Sequence, residues 1–261
     1  MRSLISIALM SIFCSCATVN EPIQGQQQSP LDGAQKNYSA GIQALSDQRY
    51  AHAIQYFEYV KSNFPYSSFA ELSDLKIAEA YFAQDKWVQA AYAFNYFTQF
   101  HPNSKQLDYA AYKEVLSFYK AKPTELFFLP SNAEKDQSAY KDAARAATSF
   151  KARFPKSKHL NEVRKLLGEC SQALVSHDLE VIRFYKKRGK FRGALWRYEK
   201  ILQEHPSNPN TPALLLEASK LALEKLNDKA TASKLLTRLA TDYPKHLEAT
   251  PQARELLAEV R

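Results

Sequence analysis

Small and bulky apolar positions recur along this chain with helical spacing. Five times an alanine is followed twelve residues later by a proline. The pairs are Ala53 and Pro65, Ala90 and Pro102, Ala143 and Pro155, Ala194 and Pro206, and Ala232 and Pro244. In four of the five copies an aromatic residue precedes the alanine by three positions, and in four a bulky residue follows it by four. These spacings predict one apolar helix face, which meets a neighbouring helix at the alanine and ends before the proline.

The repeated unit resembles the tetratricopeptide repeat, a hairpin of two helices about 34 residues long. We therefore predict an all-α tetratricopeptide-repeat solenoid of five helix hairpins, or about ten helices. No sustained two-residue alternation of apolar positions indicates a strand. Stacked hairpins of this kind offer surfaces to other molecules and seldom carry chemistry of their own.

Uneven spacing of the prolines predicts an insertion in the third repeat. The segment 120–138 contains two prolines and the apolar run Leu126-Phe127-Phe128-Leu129, which indicates a loop between the paired helices. Phe127 and Phe128 are candidate partner contacts. The alternative interpretation is that both rings fold back onto the helices.

A second wide spacing predicts a long helix. The segment 160–188 has no proline and only Gly168 as a weak helix breaker. The pattern favours one helix of about 45 Å at 1.5 Å per residue, linking repeats 3 and 4.

The first residues indicate export. Met1-Arg2 is a short basic start, and the apolar run from Leu4 to Phe13 is too short to span a bilayer, which is typical of a signal peptide over residues 1–15.

The end of this run, Phe13-Cys14-Ser15-Cys16, resembles the lipobox of bacterial lipoproteins. The resemblance predicts cleavage between Ser15 and Cys16 and acylation of Cys16 as an N-palmitoyl, S-diacylglycerol cysteine. Ala17, in a place where Asp would favour the inner membrane, implies the outer membrane. The alternative is an ordinary signal peptide that contains two cysteines.

Composition divides the remaining chain. Residues 16–32 are rich in Gln, Pro, Ser and Asn and read as a lipidated flexible tether. We predict an N-terminal half at 33–155 with repeats 1–3, and a C-terminal half at 156–261 with repeats 4 and 5. Cys170 has no partner left for an intrachain disulfide, and its apolar surroundings indicate a core position.

Positive charge is concentrated in the middle of the chain. Residues 141–200 hold 16 Lys and Arg against 6 Asp and Glu, whereas residues 17–140 hold 10 against 13. An exported protein rarely meets nucleic acid, so acidic protein surfaces or lipid head groups are the candidate partners, with a merely solvated face as the alternative. The candidate partner surface comprises Lys186, Lys187, Arg188, Lys190 and Arg192.

The sequence contains no recognisable catalytic, metal-binding or cofactor-binding motif. The histidines lack metal-ligand spacing, and no phosphate-binding or dinucleotide-binding glycine motif occurs. His101 and His205 each precede a repeat proline, which favours a structural role at a helix end. We therefore predict no cofactor, no metal and no enzymatic activity.

Two stretches carry a more specific resemblance. Phe64-Pro65-Tyr66-Ser67-Ser68, with the following repeat up to Tyr112, and Phe184-Tyr185-Lys186-Lys187-Arg188-Gly189 are similar to the BamD family of outer-membrane assembly lipoproteins. The likeness extends from the lipobox to the fifth repeat. Lys135 stands where the family carries an arginine, so a contact that needs a guanidinium there is in doubt.

This resemblance implies a non-catalytic subunit of the β-barrel assembly (BAM) complex, held by lipid at the periplasmic face of the outer membrane. It implies binding to the periplasmic domains of BamA, at the last two repeats, to other BAM lipoproteins and to unfolded barrel precursors. A groove lined by aromatic side chains suits an extended peptide. The candidate groove residues are Tyr38, Phe64, Tyr66, Tyr81, Tyr92 and Tyr96.

A different class of function uses the same repeats. Periplasmic adaptors associated with Tol-Pal coordinate cell-wall synthesis with envelope constriction. Such adaptors usually have a coiled coil before their repeats and no lipobox, whereas this chain has a lipobox and no heptads before its repeats.

Overall fold

A computed structural model describes residues 30–123, 136–206 and 208–260, and in these ranges the chain forms twelve α-helices and no strand. Their bounds are α1 Pro30–Ser46, α2 Tyr50–Asn63, α3 Ser68–Ala83, α4 Trp87–Phe100, α5 Leu107–Lys120, α6 Ser138–Arg153, α7 Leu160–Lys187, α8 Phe191–Glu204, α9 Thr211–Leu226, α10 Lys229–Asp242, α11 Pro244–Ala249 and α12 Pro251–Val260. Each helix packs against the next, and pairs α1–α2 to α9–α10 form five hairpins. The predicted solenoid is confirmed. Two short helices after the fifth repeat bring the total above the predicted ten.

The alanine of each repeat lies at the centre of its hairpin. All five repeat alanines are fully buried. Bulky residues four positions later are buried as well, among them Phe57, Phe94 and Leu236. Close helix approach also explains Gly41 in α1, because a Cβ there would lie 2.6 Å from the ring of Phe57. The apolar pattern in the sequence is therefore the core of the solenoid.

A single kind of cap ends the second helix of every hairpin. The residue before each repeat proline has φ between −136° and −122°, and its backbone N–H donates to the carbonyl four residues earlier. Proline then supplies no N–H, and its ring disfavours the helical conformation in the preceding residue. The five capping residues are Phe64, His101, Phe154, His205 and Tyr243.

The turn inside a hairpin uses a left-handed residue in four of the five hairpins. Gln48, Asp85, Gly189 and Asn227 have φ from 52° to 68°, each two positions before the second helix. The third hairpin has no such residue in its described part. Its helices α5 and α6 are instead separated by the segment that contains the predicted insertion.

The predicted long helix is α7, with 28 residues and a length of roughly 42 Å. It contacts α5, α6 and α8, and so it joins the third and fourth repeats. Tyr112 on α5 donates a 2.8 Å hydrogen bond to Glu162 on α7. Two helical turns further along α5, the Tyr119 hydroxyl donates a hydrogen bond to Glu169 on α7. Cys170 lies fully buried in the same layer.

Several predictions fall on residues that the structure does not describe. The signal peptide 1–15, Cys16, the tether up to residue 29, and Phe127, Phe128 and Lys135 of the insertion lie outside the described residues. The division into halves at residue 155 stays a prediction. No helix within the described ranges has the length and apolar character that a membrane span requires.

Candidate functional site

Three of the six candidate groove residues pack between helices. The ring centre of Tyr38 lies 5.6 Å from that of the buried Phe57. Phe64 meets Tyr59 edge-on at 6.1 Å. Tyr81 is half-buried between the cores of the first and second repeats. These rings fix the positions of the helices and offer little surface to a ligand.

The other three candidates are exposed. Tyr66, in the turn between α2 and α3, is fully exposed. Tyr92 and Tyr96 belong to a row with Val88 and Phe100, spaced by four residues along α4 and between 42% and 62% exposed. This aromatic row occupies one face of a helix with no charged residue. Val88 and Phe100 were not among the predicted groove residues, although their spacing of four residues is visible in the sequence.

A cleft of about 600 Å³ adjoins the exposed rings, with Tyr66 and Tyr96 in its walls. The polar centre of this aromatic cleft is Asp74, whose side chain is only 9% exposed. Lys61 Nζ lies 2.7 Å from one of its oxygens, and His101 Nε2 lies 2.8 Å from the other. Burial alone would lower the pKa of Lys61, but the bonds to Asp74 and Glu58 raise it.

The arrangement in the aromatic cleft suits binding better than chemistry. Its buried acid is already paired with Lys61 and His101, so this carboxylate is not a free proton acceptor. Ser67 in the wall has a hydroxyl without a hydrogen-bond partner among the described residues, and neighbouring atoms cover this hydroxyl. The exposed rings of Tyr66 and Tyr96 leave the apolar part of this cleft open to a ligand.

The candidate partner surface lies at the turn between α7 and α8. All five of its cationic side chains are exposed. Among the described residues only Lys186 reaches a carboxylate, that of Glu217 at 3.8 Å. The Arg188 guanidinium lies 5.3 Å from the ring centre of Phe184, which is 54% exposed. The five predicted cations are thus exposed at one turn, and the exposed ring of Phe184, which was not among the predicted surface residues, lies beside Arg188.

A second buried acid lies in the hairpin of α7 and α8. Asp178 in α7 is 2.8 Å from Arg197 and 3.6 Å from Lys200, both on α8. These three residues and His205 line a cleft of about 490 Å³. His205 Nδ1 lies 3.0 Å from the Ser171 hydroxyl, and burial lowers the pKa of His205. Nothing in the sequence distinguished Asp178 from surface acids, since its partners come from another helix.

The predicted structural role of two histidines agrees with the geometry. His101 and His205 both cap helices, and each ring contacts the first helix of its own hairpin. Across the described ranges, no group of three or more His, Cys, Asp or Glu side chains could hold a metal ion.

Known proteins match this chain over most of its length. The family model described as YfiO, outer membrane lipoprotein, matches residues 32–248. The outer membrane protein assembly factor BamD of Neisseria meningitidis serogroup B is 28% identical, over 94% of this chain and 92% of that protein. The outer membrane protein assembly factor BamD of Pasteurella multocida is 26% identical, over 90% of this chain and 89% of that protein.

A solved structure gives a weaker likeness. The TPR2AB domain of yeast Sti1 covers 88% of this chain at 12% identity, with a TM-score of 0.42. The family match, by contrast, includes all five repeats and both wide spacings. This chain therefore belongs to the YfiO (BamD) family of outer membrane lipoproteins.

Proposed function

We propose that this protein is a scaffold subunit of the outer-membrane β-barrel assembly complex, and that it acts without catalysis. The observation that carries the proposal is the aromatic cleft of the first two repeats, with Tyr66 and Tyr96 exposed beside a buried, fully paired acid. Membership of a family of outer membrane lipoproteins and the names of its relatives support the same role.

The substrate in this proposal is an unfolded barrel precursor in extended form. Exposed aromatic rings bind apolar side chains because the contact removes apolar surface from water. The gain in free energy is about 25 cal/mol per Å² of surface buried. Of the predicted groove residues, we propose that the exposed Tyr66, Tyr92 and Tyr96 contact the peptide. Tyr38, Phe64 and Tyr81 pack against other rings and the repeat cores.

The partner at the opposite half is a BamA-like barrel subunit. Its proposed contact is the basic turn of Lys186, Lys187, Arg188, Lys190 and Arg192, which suits an acidic surface. Exposed Phe184, next to Arg188, adds an apolar anchor to the cations, and exposed Trp196 follows on α8. Other BAM lipoproteins would join through the same complex.

The proposed location is the periplasmic face of the outer membrane. Acylated Cys16 would anchor the chain, and the polar segment 16–32 would set its distance from the lipid surface. Mass spectrometry of the mature amino terminus tests this part, because it distinguishes an acylated Cys16 from an unmodified or differently cleaved end.

The central experiment extracts the tagged protein in detergent and identifies what comes with it. We expect a BamA-like barrel subunit and cross-linked barrel precursors. Recovery of Tol or peptidoglycan-binding proteins in their place would overturn the proposal and favour the constriction adaptor.

Two sets of variants separate the proposed surfaces. Charge reversal of Lys187, Arg188 and Lys190 to Glu should reduce recovery of the barrel subunit and leave precursor cross-linking intact. Tyr66→Ser with Tyr96→Ser should do the opposite. Charge reversal of exposed Lys151, Lys156 and Lys158 is the matched control, because it makes the same change in net charge elsewhere in the basic block. Equal losses with the control would refute the assignment of the basic turn.

A further inference from the structure

A second group of cations lies at the turn between α6 and α7, at the other end of α7 from the basic turn. All of its side chains are exposed, and none of them forms an ion pair with a described residue. The sequence has no acidic residue between Asp142 and Glu162 that could neutralise them. This α6–α7 patch comprises Lys151, Arg153, Lys156, Lys158 and Arg164.

Helix stability accounts for only part of the patch. Lys151 and Arg153 occupy the last turn of α6, where positive charge favours the helix. Lys156 and Lys158 lie just before the amino end of α7, where the helix dipole disfavours positive charge. The acid in the first turn of α7, Glu162, already accepts a hydrogen bond from α5. A negatively charged surface outside the protein would offset the repulsion at this turn.

The patch belongs to the edge of the solenoid at which α1 begins. Each hairpin returns the chain to this edge, so α3, α5 and α7 begin there as well. Gly33 in the first turn of α1 lies against the ring of Phe64 at the end of α2. Further along the edge, Ser157 in the patch turn donates a 2.7 Å hydrogen bond to Asp108 at the start of α5. The aromatic cleft around Asp74 lies between these two contacts.

The position of the predicted tether favours a lipid surface over an acidic protein as the partner. Residues 16–29 would leave from the edge that carries the patch. A flexible chain of 14 residues spans roughly 20 Å, so acylation of Cys16 would keep this edge close to the membrane. The basic turn lies at the far end of α7, roughly 42 Å away along the helix.

The chemistry of the patch suits head groups rather than acyl chains. The other exposed residues between its cations are Ala152, Pro155 and Asn161, and none of these is a bulky apolar side chain that could insert into a bilayer. Lys and Arg donate strong, charge-assisted hydrogen bonds to phosphate oxygens. Contact of this kind is electrostatic, and salt reverses it.

We propose that the α6–α7 patch docks on the anionic phospholipid head groups of the membrane that carries the anchor. This inference rests on the proposed attachment through Cys16 and adds a second membrane contact to it. The two contacts together would fix the orientation of the solenoid. The edge where α1 and α7 begin would face the lipid, and the basic turn would face partners in the periplasm.

Lysine labelling on vesicles tests this orientation. The mature chain from residue 16 is coupled through Cys16 to a maleimide phospholipid, which reproduces the proposed anchor, while Cys170 is buried. One set of vesicles contains phosphatidylethanolamine with phosphatidylglycerol, and the other contains phosphatidylethanolamine with neutral phosphatidylcholine. A water-soluble N-hydroxysuccinimide ester labels the exposed lysines, and mass spectrometry measures each site.

The two ends of α7 serve as signal and internal control. We expect labelling of Lys156 and Lys158, relative to Lys187 and Lys190, to be about fivefold slower on the anionic vesicles than on the neutral ones. Salt at ~1 M should abolish the difference. Equal relative labelling on both kinds of vesicle, or equal protection at both ends of α7, would overturn the proposal.

Variants locate the effect, with Lys151 as the reporter. Its protection on anionic vesicles should be lost when Lys156, Lys158 and Arg164 are changed to Gln. Protection should persist in the matched control, which removes three cations of the basic turn by changing Lys187, Arg188 and Lys190 to Gln. Circular dichroism checks that the helices survive each change. Protection of Lys151 that survives the first change would contradict the proposal.

Failure of this test is distinguishable from failure of the proposed function. Because the maleimide lipid supplies the anchor, a negative result would reject the patch and leave the tests of acylation and of barrel-subunit recovery unaffected. Detergent removes the bilayer, so charge reversal of Lys151, Lys156 and Lys158 stays a valid control for that recovery.

Photo-cross-linking in cells distinguishes a lipid from a protein partner. A photo-reactive amino acid replaces the exposed Asn161 in the full chain. We expect phospholipid adducts on the peptide that contains this position. Cross-links to a protein alone would assign the patch to that protein and overturn the proposal.

Discussion

Asp74 and Asp178 occupy the same position in two different repeats. Each precedes by 27 residues the histidine that caps the second helix of its hairpin, and each is buried against two basic side chains. The partners differ. Asp74 pairs with Lys61 of the previous repeat and with His101, whereas Asp178 pairs with two residues of its own hairpin. The same acid thus links two repeats in one place and closes a single hairpin in the other.

Asp178→Asn should destabilise the protein. The change leaves Arg197 and Lys200 facing a neutral side chain, and both are only about a quarter exposed. We expect a loss of about 1–3 kcal/mol in the free energy of unfolding, below the range for a fully buried pair because solvent screens both bases. Urea unfolding followed by circular dichroism measures it.

Glu180→Gln is the control on the same helix. Its partner Arg183 is 69% exposed, so the change should alter stability by less than about 0.5 kcal/mol. If both variants lost a comparable free energy of unfolding, the burial of Asp178 would not be the cause of its effect on stability.

Replacing glycine by alanine should have opposite effects on stability at Gly41 and at Gly168. At Gly41 a new Cβ would lie 2.6 Å from the buried ring of Phe57, so Gly41→Ala should cost about 1–3 kcal/mol despite the better helix propensity of alanine. At Gly168 in α7 nothing lies within 4 Å. Gly168→Ala should therefore stabilise by about 0.5–1 kcal/mol. Thermal unfolding of both variants tests the pair, and a gain at Gly41 would contradict it.

Acid should weaken the fourth repeat through His205. Burial lowers the pKa of His205 below its usual 6.5, although Glu204 and Asp178 oppose the shift. As the pH falls below about 6.5, the unfolded chain binds a proton that the folded chain does not, so stability is complete above this pH and declines below it. We expect His205→Gln to lose less stability than the parent between pH 7.5 and pH 5.5. Urea midpoints at the two pH values measure the difference, and identical losses would refute it.

Cys170 should resist thiol reagents in the folded protein. Burial, with a contribution from Glu169, raises the pKa of Cys170 to about 12, and the reactive species is the thiolate. We expect slow alkylation by iodoacetamide at pH 8 and rapid alkylation in denaturant. Mass spectrometry of the peptide that contains Cys170 follows this thiol alone. Rapid labelling without denaturant would place it at an open surface.

The repeat framework was predictable because its determinants are local. Alanine at the helix contact, a bulky residue one turn later and a terminating proline all act within about four turns of one chain segment. The long helix α7 followed from the lack of any proline in its segment. The two additional helices after Pro244 were missed, since this proline begins a helix as well as ending one.

The candidate site was only half predictable. Helical spacing identifies aromatic residues, but it does not tell which side of a helix a neighbouring repeat covers, so Tyr81 and Tyr96 looked alike and only Tyr96 is exposed. The buried acids were invisible for a related reason. Asp74 meets a base from another repeat, and such pairings are set by the stacking of hairpins rather than by sequence distance.

The distribution of charge gives the second and fourth repeats different sensitivities to ionic strength. The exposed row on α4 has no charged side chain, so whatever binds it should remain bound in a concentrated salt wash, and salting-out ions should tighten its hold. The turn between α7 and α8 has five exposed cations, and a ligand held there should elute in the same wash. A single salt gradient applied to the intact complex would thus release its components in an order that reveals which end each one occupied.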